Sequence, residues 1–162
     1  PPAGVRGTFR TDEAARGAYA EAAGIARAMP RAVAVPADGD DVAALVRWAQ
    51  ATRTPLVPRG AGSSMSGGAI GDGVVVDLSR MAAIAPVDAR ARTVRTGPGA
   101  ARAAVDRAAF AHGLRFPPDP SSGAYATVGG MASTNAAGAH TLRYGAMRPW
   151  VVGLDCVFDD GT

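Results

Sequence analysis

Residues 58–68 read Pro-Arg-Gly-Ala-Gly-Ser-Ser-Met-Ser-Gly-Gly, and this glycine- and serine-rich stretch decides how the chain is interpreted. The apolar run Pro55-Leu56-Val57 comes before it and predicts a buried strand. Glycine tolerates positive φ angles and lets the backbone approach a ligand closely. Successive N–H groups in such a turn can hold an anion, and the serine hydroxyls and Arg59 add donors and a positive charge. The stretch therefore suits a diphosphate, although a flexible surface loop after a strand would have the same composition.

Two familiar phosphate-binding loops do not match this stretch. The Walker A loop requires a lysine after its last glycine, but all 17 basic residues of the chain are arginine. The dinucleotide-binding fingerprint requires a glycine three positions after Gly62, where Met65 stands instead. A diphosphate bound here would need a different loop geometry.

A second stretch of small residues runs from Ala126 to Gly138 and reads Ala-Thr-Val-Gly-Gly-Met-Ala-Ser-Thr-Asn-Ala-Ala-Gly. Gly129-Gly130 would permit close backbone approach, at a helix N-terminus directed at a phosphate. A tightly packed turn of small residues is the alternative. Upstream, residues 116–122 contain three prolines within four positions, which predicts a stiff, extended segment with exposed carbonyls. That segment could lie along a flat ligand or connect two elements.

The rest of the first half predicts a small parallel or mixed sheet with helices. Loops at the carboxyl ends of parallel strands are where ligands usually bind, and the glycine-rich loop leaves from such an end. The predicted helices are Asp12 to about Ala28, Asp38 or Asp40 to about Thr52, and Ala100 to about His112; the predicted strands are Ala32–Val35, Leu56–Val57 and Val74–Val76.

The pattern changes after Arg80, where residues 84–87 and 93–96 predict a hairpin. We therefore expect a first subdomain at 1–80 and a second at 81–162. Trp150 to Phe158 predicts a strand, and Asp159-Asp160-Gly161 is a hairpin turn signal with no return strand after it. This pattern predicts a C-terminally truncated domain.

Composition excludes several functional classes. Hydrophobic residues are 48% and charged residues 19%, which is typical of a globular protein. The net charge of +3 comes from arginines spread along the chain, so nucleic-acid binding is not expected. The lone Cys156 is predicted to be a buried small hydrophobe, and the distant His112 and His140 predict no metal site. No apolar run is long enough for a membrane span and no signal-peptide pattern is present, which predicts a cytoplasmic location.

The two glycine-rich stretches, in this order and with Pro-Asp-Pro-Ser between them, resemble the FAD-binding domain of the vanillyl-alcohol-oxidase superfamily, the PCMH-type FAD domain. The resemblance runs from about Pro30 to Thr162 and includes residues 75–79 and Tyr144-Gly145. Within the superfamily it is strongest to the branch of D-lactate dehydrogenase and glycolate oxidase flavoproteins. It implies an α+β fold of two α/β subdomains.

The resemblance also implies a set of cofactor-binding residues. Ala61 stands where glycine is usual and Ser63 where threonine is usual, and neither change removes a backbone donor. Ser63 and Ser64 occupy the region where other members carry a flavin-linking histidine, which implies non-covalent FAD. The implied residues are Pro58, Arg59, Gly60, Ala61, Gly62, Ser63, Ser64, Gly67, Gly68, Pro118, Asp119, Pro120, Ser121, Thr127, Gly129, Gly130, Thr134, Asn135 and Gly138.

The chemistry implied by the resemblance is oxidation of a D-2-hydroxy acid, of the lactate or glycolate type, to the 2-oxo acid with hydride transfer to flavin N5. The substrate would meet a cap domain outside this chain, and the electron acceptor is not identified by the sequence. No catalytic side chain or metal ligand is predicted here, and the chain alone is expected to be inactive. Alternatives are the FAD domain of an ether-lipid synthase or cell-wall reductase branch, or a non-catalytic nucleotide-binding fragment.

Overall fold

The fold is described from a computed structural model, which covers residues 2–162. The chain forms two compact units. Residues 2–80 together with Asp155–Thr162 form the first unit, and Met81–Leu154 form the second. Residues 155–162, which were expected in the second subdomain, group with the first unit.

A mixed four-stranded sheet forms the centre of the first unit. Its strands are β1 (Thr8–Arg10), β2 (Ala32–Val35), β3 (Leu56–Arg59) and β4 (Val74–Asp77), in the order β1-β2-β4-β3. Strands β2, β4 and β3 are parallel, and β1 pairs antiparallel with β2. The predicted mixed sheet is therefore confirmed, with β1 as a strand that the sequence analysis did not predict.

Helix α2 (Gly39–Thr52) packs on this sheet as its sequence predicts. The Asp38 side chain accepts the N–H of Asp41 and caps the helix start, and Arg53 ends the helix in the left-handed conformation. The helix buries Leu45 against a cluster of Ala32, Ala34, Val74 and Val76. Full burial of such a leucine side chain contributes about 1.5–3 kcal/mol.

The predicted N-terminal helix is much shorter than expected. Helix α1 covers only Glu13–Ala18, instead of continuing to about Ala28. Alanine favours a helix but buries little surface, so local propensity is easily overridden by tertiary contacts. Here the carbonyls of Tyr19 and Glu21 accept hydrogen bonds from the Arg59 side chain instead of from helical N–H groups.

The buried carboxylate of Asp41 ties the N-terminal segment to the start of α2. It accepts the backbone N–H groups of Arg6 at 3.0 Å, Gly7 at 2.8 Å and Ala37 at 2.8 Å. These hydrogen bonds, led by that of Arg6, lower the pKa of Asp41 to about 2 against the opposing effect of burial. Asp41 therefore remains an anion and holds three separate backbone donors.

The second unit contains three short helices and a set of turns. Helix α3 is Arg102–Phe110, α4 is Val128–Thr134 and α5 is Thr141–Tyr144, followed by a 3₁₀ helix at Arg148–Trp150. Ala126, Met131 and Met147 form its buried cluster. The predicted hairpin is confirmed as antiparallel pairing, although only as isolated bridges between Ile84 and Thr96 and between Asp88 and Thr93.

The predicted strand at residues 150–158 does not form. This segment pairs with no strand among the described residues, so apolar side chains such as those of Val152 and Phe158 remain exposed. Cys156 is exposed as well, and the prediction that it is buried is wrong because no neighbouring strand covers it. The predicted turn is present, with Gly161 at φ +79° and its carbonyl accepting from Arg47 Nη1 at 2.9 Å.

Residues 2–162 contain no candidate membrane-spanning helix and no candidate cluster of metal ligands. No helix there combines the length and hydrophobicity that crossing a bilayer requires. Nor do these residues include a group of three or more His, Cys, Asp or Glu side chains placed to hold a metal ion.

Candidate functional site

The glycine-rich loop begins at the carboxyl end of β3, directly after Arg59. Because β2, β3 and β4 are parallel, their carboxyl ends lie at one edge of the sheet, where ligands bind in open α/β folds. Within the loop, Gly62 has φ +70° and Gly67 has φ +77°, values that side-chain-bearing residues rarely adopt. The predicted site residues of the first unit all lie here: Pro58, Arg59, Gly60, Ala61, Gly62, Ser63, Ser64, Gly67 and Gly68.

The loop keeps its backbone donors free. Among the described residues, no acceptor is bound by any backbone N–H from Gly60 to Ala69. The next N–H, that of Ile70, donates to the Gly67 carbonyl at 3.3 Å. A row of unpaired N–H groups in a turn with glycines at positive φ is the donor set that an anion such as a diphosphate needs. The residues present therefore fit a diphosphate group.

The spaces around the glycines differ within the loop. A Cβ at Gly67 would meet nothing within 4 Å, and one at Gly68 would meet only Ser64 Oγ at 3.5 Å. A Cβ at Gly62 would instead lie 2.5 Å from Arg59 Nη2. Gly67 and Gly68 thus face open space, whereas Gly62 leaves room for a side chain of the protein itself.

Arg59 was expected to supply a positive charge to the diphosphate, but its side chain is largely engaged with the backbone. Nη1 donates to the carbonyls of Glu21 at 2.9 Å, Ala69 at 3.1 Å and Tyr19 at 3.5 Å. The guanidinium carbon also lies 5.2 Å from the centre of the Tyr19 ring, within range of a cation–π interaction.

The predicted site residues of the second unit lie in two segments. They are Pro118, Asp119, Pro120 and Ser121 in the proline-rich segment, and Thr127, Gly129, Gly130, Thr134, Asn135 and Gly138 in and around α4.

Two of the first three backbone donors of α4 are used within the protein. The N–H of Val128 donates to the Ala100 carbonyl at 2.8 Å, and the N–H of Gly129 donates to the Pro98 carbonyl at 2.9 Å. Among the described residues the N–H of Gly130, the third donor of this helix start, binds no acceptor, so the expectation that the helix start is directed at a phosphate stays a prediction.

Two of the glycines in this stretch are required by protein packing. A Cβ at Gly129 would lie 2.7 Å from Pro98 Cβ, and one at Gly138 would lie 1.9 Å from the Asp119 carbonyl oxygen. The Thr134 hydroxyl donates to the Gly130 carbonyl at 2.9 Å within the helix. These contacts favour the alternative interpretation, a tightly packed turn of small residues.

The proline-rich segment was expected to expose its carbonyls, and this is wrong for at least two of them. Arg102 Nε donates to the Pro118 carbonyl at 3.0 Å, and Arg102 Nη2 donates to the Phe116 carbonyl at 2.9 Å. Each X–Pro peptide lacks one donor, so a long side chain from α3 satisfies these carbonyls instead.

Asp119 and His140 form a pair that the sequence did not predict. The His140 N–H donates to Asp119 Oδ1 at 3.2 Å, and the ring Nδ1 is hydrogen-bonded to Oδ2. The hydrogen bond from His140 is the main cause that lowers the pKa of Asp119. No local pattern could have shown this pair, because the two residues are separated by 21 positions.

Comparison with known proteins identifies the class of this fold and site. A family model described as an FAD binding domain matches residues 30–162. The chain therefore belongs to the family of PCMH-type FAD-binding domains, as the resemblance predicted.

The curated relatives agree with this assignment. A D-lactate dehydrogenase from Archaeoglobus fulgidus is 40% identical over 131 residues, which are 80% of this chain and 29% of that protein. A D-2-hydroxyglutarate dehydrogenase from Pseudomonas putida is 37% identical over 162 residues, 98% of this chain and 16% of that protein. The glycolate oxidase subunit GlcD of Bacillus subtilis is 34% identical over 137 residues, 83% of this chain and 29% of that protein. The chain thus spans less than a third of each relative.

A solved structure supports the fold. The 6-hydroxy-D-nicotine oxidase of Arthrobacter nicotinovorans superposes with a TM-score of 0.85 at 25% identity, over 98% of this chain and 35% of that protein. The mixed α/β architecture therefore matches that of an oxidase in the solved structures.

Proposed function

We propose that this chain is the FAD-binding portion of a flavin-dependent oxidoreductase that converts a D-2-hydroxy acid to the 2-oxo acid. The observation that carries the proposal is the row of unpaired backbone N–H groups from Gly60 to Ala69 at the carboxyl edge of the parallel strands. The names of the relatives support the substrate class, since lactate, 2-hydroxyglutarate and glycolate are all 2-hydroxy acids.

The glycine-rich loop would hold the diphosphate of FAD through its backbone. The N–H groups of residues 60–69 supply the donors, and the half-buried hydroxyls of Ser63 and Ser64 add two more. The loop contains no histidine, and the His140 ring is already bonded to Asp119. This arrangement supports non-covalent binding of FAD.

We also propose FAD contacts in the second unit, chiefly through groups other than the paired N–H groups of Val128 and Gly129. The proposed contacts remain Pro118, Asp119, Pro120, Ser121, Thr127, Gly129, Gly130, Thr134, Asn135 and Gly138. The exposed Ser121 hydroxyl and the Asn135 side-chain amide bear donors that no described residue accepts. These groups suit a polar part of the cofactor better than a phosphate.

When bound, FAD supplies the two-electron acceptor that oxidation of a hydroxyl-bearing carbon requires. The residues of this chain then bind and orient it. No described side chain is proposed as the acceptor of the substrate's hydroxyl proton.

Titration of flavin fluorescence with the purified chain tests the proposal. We expect the wild-type chain to bind FAD. The Gly68→Val variant should bind at least tenfold more weakly, because its side chain fills the open space beside the free donors. Its thermal unfolding should be unchanged, since a Cβ there meets only Ser64 Oγ at 3.5 Å.

The matched control is Gly17→Ala, at a glycine of α1 where an added Cβ meets nothing within 4 Å. It should leave FAD affinity unchanged. Equal FAD binding by wild type and Gly68→Val would show that the loop does not hold the cofactor. The substrate class is tested separately in the enzyme that contains this chain, by anaerobic bleaching of its flavin with D-lactate, D-2-hydroxyglutarate or glycolate.

A further inference from the structure

The segment Tyr19–Gly24 lies against the glycine-rich loop, although it precedes residue 30, where the family match begins. We infer that this segment is a positioning element for the loop, and that Arg59 joins the two instead of serving as the cation of the diphosphate. The inference rests on the proposed function of the loop as an FAD site. It assigns a role in that site to residues outside the matched region.

Arg59 fixes both ends of the contact with one side chain. Its Nη1 donates to the carbonyls of Tyr19 and Glu21 in the N-terminal segment and to Ala69 at the far end of the loop. Because Gly62 has no Cβ, the guanidinium can lie directly against the loop's own turn. A planar guanidinium on an aromatic ring loses less freedom per hydrogen bond than a flexible ammonium would.

The two backbones also touch directly. The Ala23 N–H donates to the Gly62 carbonyl at 3.0 Å. A Cβ at Gly24 would lie 2.5 Å from the Met65 carbonyl oxygen, so glycine is required there for the close approach. The carbonyls of Gly62 and Met65 thus face the N-terminal segment, and this contact uses none of the loop's N–H groups.

Tyr19 links the segment to the sheet. Its O–H donates to the buried carboxylate of Asp77, the last residue of β4, which also accepts the Ser79 N–H at 2.8 Å. Burial, followed by the nearby Asp77, raises the pKa of Tyr19 to about 12, so the phenol keeps its proton at neutral pH. A continuous path of contacts therefore runs from β4 through Tyr19 and Arg59 to the loop.

The loop needs such external support for a physical reason. A turn whose own N–H groups are unpaired has few internal hydrogen bonds to fix it, and ordering each backbone residue costs about 1–2 kcal/mol. Contacts that hold the loop before the ligand arrives reduce this cost and increase affinity. The positioning element supplies these contacts without using the donors.

The test combines amide dynamics of the ligand-free chain with FAD titration. Arg59→Gln and, independently, Tyr19→Leu should each lower the heteronuclear NOE of the amides of residues 60–69. Each should also weaken FAD binding by about tenfold, the loss expected for one or two hydrogen bonds. The double variant should be no weaker than Arg59→Gln alone, because both substitutions remove the same support.

Arg31→Gln is the matched control. Arg31 is an exposed arginine of the same unit with no side-chain contact to the loop, so this variant removes the same charge and should change neither measurement. If Arg59→Gln weakens FAD binding while the loop amides stay as rigid as in wild type, Arg59 acts as a cation and the inference is wrong. Unchanged measurements in Tyr19→Leu would also overturn it. A third outcome is that the two variants loosen the loop amides but the wild-type chain binds no FAD. In that case the positioning role stands and the proposed cofactor is refuted.

Discussion

The glycine-rich loop of the first unit and the small-residue stretch of the second have similar compositions but opposite uses of their backbones. From Gly60 to Ala69 the N–H groups pair with no acceptor in residues 2–162, and Gly67 faces open space. Around α4 the N–H groups of Val128 and Gly129 bind carbonyls, and Gly138 lies against the backbone of Asp119. A glycine can therefore admit a ligand or another part of the chain, and composition does not distinguish these roles.

The difference lies in what a Cβ would meet. Where it would meet the protein's backbone, glycine is required for folding, and its replacement destabilises the unit whether or not a ligand binds. Where it would meet nothing, glycine is required only if a ligand occupies that space. Substitutions at the two kinds of position should separate stability from affinity.

The largest effect is expected for Gly138→Ala in the second unit. Its Cβ would lie 1.9 Å from the Asp119 carbonyl oxygen, so the proline-rich segment must move. Overpacking of this kind costs about 3 kcal/mol. Urea unfolding should show this loss, whereas Gly153→Ala, where a Cβ meets nothing within 4 Å, should be close to wild type. Equal stability of the two variants would contradict the packing role of Gly138.

A smaller loss is expected for Asp41→Asn in the first unit. The carboxylate accepts three backbone N–H groups and is almost fully buried. Hydrogen bonds to a charged group contribute about 1.5–3 kcal/mol, so we expect a loss of about 2 kcal/mol in urea unfolding. The loop's amides should keep their wild-type NOE values, because none of them contacts Asp41.

The same residue makes the stability of the first unit depend on acid pH. The pKa of Asp41 is lowered from 3.8 to about 2 in the folded chain. A lowered pKa means that its contribution is present above the unfolded value and is lost as the pH falls from 3.8 through about 2. In unfolding experiments across this range, Asp41→Asn should show a shallower fall than wild type. Parallel curves would exclude Asp41 as the source.

Much of this fold follows from the sequence, because its signals are local. Asp38 as a cap, the helical spacing of Leu45 and Ala49, and the apolar run Val74–Val76 predicted α2 and the parallel strands. The glycine-rich loop could also be located from the sequence, since it follows a strand and is rich in glycine. What could not be predicted depends on distant partners.

Two failed predictions and one unpredicted pairing share that cause. The helix expected to continue to about Ala28 ends at Ala18, because the carbonyls beyond it bind Arg59, a residue far along the chain. The N–H groups of Val128 and Gly129, at the start of α4, bind the carbonyls of Ala100 and Pro98, which the sequence did not indicate. Cys156 is exposed because the segment around it does not form the predicted strand within a sheet of the described residues. None of these partners can be identified from the short stretch of sequence over which periodicity is assessed, because each lies far away along the chain or is absent from the described residues.

Gly62 shares features of both kinds of glycine, and a double-mutant cycle can show which feature determines the cost of replacing it. It is in the ligand-facing loop, yet a Cβ would lie 2.5 Å from Arg59 Nη2. Gly62→Ala should cost about 2 kcal/mol in the wild type, partly from the clash and partly from φ +70°. In the Arg59→Ala background the clash is absent, so the cost should fall by about 1 kcal/mol. Additive losses in urea unfolding would mean that only the backbone angle matters.

The smallest effect is expected for Thr134→Ala. This variant compares a side-chain hydroxyl of α4 with one of the glycine-rich loop. The Thr134 hydroxyl already donates to the Gly130 carbonyl at 2.9 Å, and such a bond within a helix contributes little stability. The variant should therefore stay within about 0.5 kcal/mol of wild type. Its FAD affinity should change less than that of Ser64→Ala, whose hydroxyl lies in the loop with free donors. The reverse order would mean that α4, despite its paired backbone, binds the cofactor more strongly than the loop does.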